Sequence, residues 1–141
     1  GKTTRTPYVA VPTTLASQKL RRPIRVAMPR DNDSYMIGKR HPFLGEYNIA
    51  IASDGKILGT VFEFYSNGGN TKDCSFDVMD CAVLGSDNAY NVPNFQSQGF
   101  VCKTNRSSNG AMRSYGGVQA GLITEEAIEA APPRRTARWW A

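Results

Sequence analysis

Hydrophobic and polar positions alternate most clearly between Gly45 and Ser66. Tyr47, Ile49 and Ile51 share one face of a strand over 45–52, and Ser53-Asp54-Gly55-Lys56 supplies an Asp-Gly turn. The pattern therefore predicts a β-hairpin with a second strand over 57–66. That strand puts Leu58, Phe62 and Phe64 on one side and Ile57, Val61 and Tyr65 on the other, which predicts cover on both faces. The run Ser66-Asn67-Gly68-Gly69-Asn70 is expected to break it. Helices are expected over 12–21, where the spacing is loose, and over 73–84, where Phe76, Met79, Val83 and Leu84 fall loosely on one side. A last helix over 117–130 carries Val118, Leu122 and Ile123, with Glu125, Glu126 and Glu129 expected in solvent, and Pro132-Pro133 stops it. Short strands are expected at 24–28 and 95–102, and Arg30 to Ser34 reads as a turn cluster. The elements amount to an α+β fold: a mixed sheet with a β-hairpin and packing helices.

The 141 residues, 40% apolar and 21% charged, suit one soluble domain. No run approaches the length of a membrane span, and the start Gly1-Lys2-Thr3 has neither an initiating Met nor the apolar region of a signal peptide. The chain is expected to be a piece of something longer, without a membrane partner. A net charge of +5 opens a second class of function, a noncatalytic basic module for nucleic acid or anionic surfaces. Arg134, Arg135 and Arg138 supply three of those charges from a tail that also holds Trp139 and Trp140, so without the tail the excess is +2 and no basic stripe is evident. Nucleic acid is accordingly not the expected partner.

Cys74, Cys81 and Cys102 make an odd count without a C-x-x-C pair, which argues against a disulfide framework or a zinc site and suits a reducing, cytoplasmic setting. Cys74 and Cys81, two helical turns apart, suit one helix face, with buried packing the commoner reason for such residues. Asp31 and Asp33 offer too few oxygens for calcium and read as a solvated turn. The single histidine, His41, has no nucleophile beside it and reads as structural and hydrogen-bonded.

The stretch 102–117 is polar, contains glycine and runs into the apolar pattern of the last helix. Helix-start N–H groups lack intrahelical partners and carry positive potential, so Gly116 and Gly117 suit close approach of an anion, and Arg113 adds a forked donor. For a lone Gly-Gly pair before a helix, an ordinary turn is the favoured reading.

As a whole the stretch resembles the molybdenum-cofactor domain of the xanthine dehydrogenase and aldehyde oxidase family. The matching positions are Cys102, Lys103, Thr104, Asn105, Ser108, Asn109, Ala111, Arg113, Tyr115, Gly116, Gly117 and Gln119. Arg40-His41-Pro42-Phe43-Leu44-Gly45-x-Tyr47 resembles the same family, as do Ser66-Asn67-x-Gly69-Asn70 and Asp87-Asn88-x-Tyr90-x-x-Pro93-Asn94. The resemblance implies that residues 1–131 are part of a larger molybdopterin-binding domain and that 132–141 form an off-family, disordered tail.

It also implies a molybdenum–molybdopterin cofactor, with FAD and iron–sulfur clusters in other domains of a homodimeric parent enzyme that hydroxylates aldehydes or N-heterocycles. The remainder of that enzyme is then this chain's partner. By resemblance, Gly1 and Lys2 end a glycine-rich cofactor loop and Arg113 lies beside the cofactor. Tyr115 takes the aromatic position, usually Phe, that stacks on substrate. Thr3 and Cys81 stand where xanthine dehydrogenases carry a glutamate and an arginine against the purine. Their lack of charge resembles aldehyde oxidases or a decayed copy. The family's catalytic glutamate lies beyond this chain, which supplies no catalytic residue and no metal ligand and is expected to be inactive alone.

Overall fold

The computed structural model describes residues 6–131. Its elements are α1 (Pro7–Leu20), α2 (Arg30–Met36), β1 (Phe43–Ile51), β2 (Ile57–Gly69), α3 (Ser75–Leu84), β3 (Phe95–Lys103) and α4 (Gly117–Glu129). The fold is α+β. Its sheet has three strands in the order β1-β2-β3, antiparallel between β1 and β2 and parallel between β2 and β3. The hairpin forms where alternation and the Asp-Gly turn place it: Gly55 takes φ 92° and the Asp54 carboxylate accepts from the Lys56 amide at 3.1 Å. A parallel pair needs a crossover, and α3 is that crossover.

The core lies between the sheet and the pair α3 and α4. Phe62 and Phe64, stacked at 5.8 Å, meet Met79, Ala82, Ala120, Ile123 and Ala127, with Phe43, Tyr47, Val83 and Val101 at the margin. Glycines on the strands admit close approach of the helices. A Cβ at Gly99 would lie 2.2 Å from the sulfur of Met79, and one at Gly45 would strike Ile123.

Four expectations need correction. The stretch 24–28 is extended but pairs with no strand among the described residues; the prolines at 23 and 29 bracket it, and alternation alone supplies no neighbour. The 30–34 turn is the start of α2, where Asp31 and Asp33 suit the positive end of a helix and Asp33 pairs with Arg30 and Lys39, each at 3.0 Å. The strand does not break at Ser66: β2 continues to Gly69, held by the paired positions Asn67 with Cys102 and Gly69 with Lys103. Finally, only one face of β2 is covered among the described residues. On the other, Leu44 is 61% exposed and Tyr65 stacks on the partly exposed Phe100 at 5.1 Å.

Helix α1 begins at Pro7, earlier than expected, because a proline at a first helical position loses no hydrogen bond. None of its residues is buried. No helix among the described residues is long and apolar enough to cross a membrane.

Candidate functional site

The segment 104–110 is knotted into the end of β2. Ser108 accepts from the Thr71 amide at 3.0 Å and donates to Asn70 Oδ1 at 2.7 Å; its hydroxyl also meets that of Thr71. Asn109 donates to the Asn67 carbonyl at 2.8 Å and accepts from the Lys39 amide at 3.2 Å. Thr104 donates to Asn67 Oδ1 at 2.8 Å. Gly69, at φ 86°, has no room for a Cβ, which would fall 2.5 Å from the Ser108 Cα. These motif residues therefore build the platform from which the chain turns back toward α4.

That turn is tight. Ser114, Tyr115 and Gly116 have φ values of 76°, 46° and 102°, a left-handed run that only glycine adopts without strain. Gly116 serves packing: a Cβ there would lie 2.2 Å from the Val78 carbonyl oxygen and 3.2 Å from the Ala82 Cβ. The absence of a side chain at this glycine therefore serves a helix–helix contact. It brings the start of α4 against α3.

The contact sets Tyr115 beside the outer face of α3. Its hydroxyl donates to Asp77 Oδ2 at 3.4 Å, a long hydrogen bond. The phenol is pushed up to about 12, by burial first and then by the Cys74 thiol and the Asp77 carboxylate. Cys74, Asp77 and Cys81 follow one another at successive turns of α3. Cys81 is exposed, not packed in the core, and is a free thiol like Cys74 and Cys102. The structure thus sets Tyr115 against Asp77, a residue that periodicity alone gave no reason to select, one helical turn before Cys81 on α3.

Arg113 is exposed, and among the described residues it has no ion-pair partner. The first amide of α4 to bond back by four residues is that of Ala120, to Gly116 at 3.1 Å. The amides of Val118 and Gln119 before it have no backbone acceptor among the described residues. Gly1, Lys2 and Thr3 lie outside the described residues, as does the tail from Pro132 to Ala141.

Two further titratable residues are structural. His41 is buried, its Nε2 2.8 Å from the Ser75 hydroxyl, and burial lowers its pKa against an opposing pull from Asp73. Glu125, expected in solvent, is partly buried and accepts from Asn88 at 2.6 Å and Tyr90 at 2.7 Å, which ties the 85–90 turn to α4. No group of three His, Cys, Asp or Glu residues among the described residues is arranged to hold a metal.

A family model described as the molybdopterin cofactor-binding domain matches residues 1–133. Xanthine dehydrogenase/oxidase of Gallus gallus is 46% identical over 125 residues, which is 89% of this chain and 9% of that protein. Xanthine dehydrogenase 1 of Arabidopsis thaliana is 43% identical over 129 residues, 92% of this chain and 10% of that one. Among solved structures, the aldehyde oxidoreductase from Desulfovibrio gigas superposes with a TM-score of 0.62 at 24% identity over 77% of this chain and 12% of its own. That from Desulfovibrio desulfuricans gives 0.64 at 20% identity, over 81% and 13%. The structural likeness speaks for the fold, and the chain spans about a tenth of the curated relatives it matches. The basic-module alternative gains no support from a family match that runs through nearly the whole chain. The chain belongs to the molybdopterin cofactor-binding domain family, and the curated relatives named above are xanthine dehydrogenases.

Proposed function

We propose that this chain forms one wall of the cofactor and substrate site in a molybdenum-dependent oxidoreductase that hydroxylates aldehydes or N-heterocycles, and that it is inactive alone. The carrying observation is the close approach of α4 to α3 at Gly116, which puts Tyr115 against the helix face that bears Cys81. An exposed guanidinium without an ion pair, in the turn that leads into α4, and helix-start amides without backbone acceptors fit an anionic cofactor. Arg113 would hold it there, with Gly1 and Lys2 contributing from the amino-terminal segment. The bound molybdenum cofactor supplies the two-electron redox chemistry and oxygen transfer to carbon. This chain's share is orientation: Arg113 fixes the cofactor and Tyr115 offers a flat face to a ring or aldehyde. The catalytic base, FAD and the iron–sulfur clusters belong to other parts of the parent, a cytoplasmic homodimer in this reading.

Substrate preference follows from the pocket positions Thr3 and Cys81. A purine brings several polar edges, and each left without a partner costs about 1–3 kcal/mol. A hydroxyl and a weakly hydrogen-bonding thiol replace neither a carboxylate nor a guanidinium. Two such losses shift selectivity by roughly ten- to a thousandfold or more, since 1.4 kcal/mol is a factor of ten. Competition between xanthine and an aromatic aldehyde in the complete enzyme tests this. The aldehyde is expected to have the higher specificity constant, and a clear preference for xanthine would show that other residues read the purine.

A further inference from the structure

The α3–α4 corner carries a charge that the family reading does not use. Asp77 is exposed, makes no ion pair among the described residues, and lies against the hydroxyl of Tyr115 at 3.4 Å. Asp80, also exposed, follows three residues later on the same helix. Lys72, just before α3, has its ammonium 4.8 Å above the ring of Phe76 and is engaged there. Arg113 is the only cation in the 112–117 turn and is given to the cofactor. The remaining groups of this corner are the thiols of Cys74 and Cys81 and the phenol of Tyr115, and the charge that lies against that phenol is the carboxylate of Asp77.

We propose that Asp77 determines substrate charge: with the ring of Tyr115 it makes a wall that accepts flat cationic N-heterocycles ahead of neutral ones and rejects anionic ones. The inference rests on Tyr115 and Cys81 lining the substrate pocket. An aromatic face attracts a cation through its quadrupole, and a phenol hydrogen-bonded to a carboxylate adds a full negative charge at the ring's edge. A delocalised heteroaromatic cation satisfies both at once. A carboxylate-bearing ring meets like charge, which mismatched partners avoid. Asp77 makes both contributions through one side chain, which also positions the ring.

The test compares N-methylquinolinium, quinoline and a quinoline carboxylate as substrates of the complete enzyme, with Asp77→Asn and Asp77→Glu variants and molybdenum content measured for each. The ratio of specificity constants, cation over neutral ring, is expected to fall about tenfold in Asp77→Asn and to recover in Asp77→Glu, at unchanged metal content. A ratio within twofold of wild type in Asp77→Asn overturns the role of Asp77 while leaving the pocket assignment in place. A molybdenum-loaded wild type that turns over neither heterocycles nor aldehydes overturns the pocket reading, and the inference with it. An independent readout needs no turnover: ultraviolet titration of this chain, with Tyr115→Phe as the difference reference. Asp77→Asn should move the Tyr115 phenol down from about 12 by part of its elevation only, since burial and Cys74 are the larger causes. An unmoved titration separates Asp77 from the ring and overturns the positioning role.

Discussion

At the scale of single residues, two side chains make opposite demands on their surroundings. His41 is buried as a neutral ring against Ser75, and its pKa lies below the ordinary 6.5 because burial disfavours the charged form. A base with a depressed folded pKa leaves the unfolded chain holding more protons between that value and 6.5, so stability rises with pH across this window and is lost as pH falls below about 6.5. Thermal melts from pH 7.5 to 5 are expected to show a declining melting temperature. His41→Gln should be less stable at pH 7.5 and flatter in its dependence; an equally steep slope in that variant would place the titration elsewhere. Arg113 is exposed and has no ion-pair role in the fold among the described residues. In the complete enzyme, Arg113→Ala is expected to lower molybdenum content or turnover with little effect on the melting temperature, because alanine cannot replace a rigid donor fork. Unchanged metal content and turnover would remove Arg113 from the cofactor site.

At the scale of elements, the packing of α4 on α3 is governed by one glycine and indifferent to another. Gly116 has φ 102° and would place a Cβ 2.2 Å from a backbone oxygen, whereas a Cβ at Gly121 in the same helix meets nothing within 4 Å. Gly116→Ala is therefore expected to cost about 2 kcal/mol or more, from left-handed strain and a clash with backbone. Gly121→Ala should stabilise by roughly 0.5–1 kcal/mol through helix propensity. Denaturant unfolding of both variants checks the pair, and equal effects would mean that the helix contact is not as close as described. The same contrast explains what was legible in the sequence. The hairpin, α3, β3 and α4 were readable because alternation, an Asp-Gly turn and helical spacing are local signals. The extended 24–28 segment mimicked a strand, since Ile24, Val26 and Met28 alternate without any neighbour to pair with. The Tyr115 and Cys81 corner was named through resemblance, but Asp77 was not, because its significance arises only when a left-handed turn at 114–116 folds Tyr115 back over α3. Glu125 was misjudged for a related reason: its partners Asn88 and Tyr90 are 37 and 35 residues away.

For the whole molecule, the decisive quantity is how much of a binding site one chain can hold. The described residues build a core between one sheet face and two helices, while the other sheet face presents Leu44, Val61 and the Tyr65–Phe100 stack to solvent and α1 buries nothing. Such apolar surface suits a domain that is completed by further polypeptide, and the chain spans about a tenth of its curated relatives. The cofactor contacts assigned here come from one arginine, the α4 start and the first residues of the chain. A ligand held from one side retains most of its translational and rotational freedom, and the few contacts it makes must offset that loss before any net binding appears. The isolated chain, purified from a host that makes the cofactor, is therefore expected to hold well under one molybdenum per chain, whereas the complete enzyme carrying the same domain retains it. Elemental analysis of both decides the point. One tightly held molybdenum per isolated chain would mean that residues 1–141 contain a whole site, and that the partition between this wall and the rest of the enzyme was drawn in the wrong place.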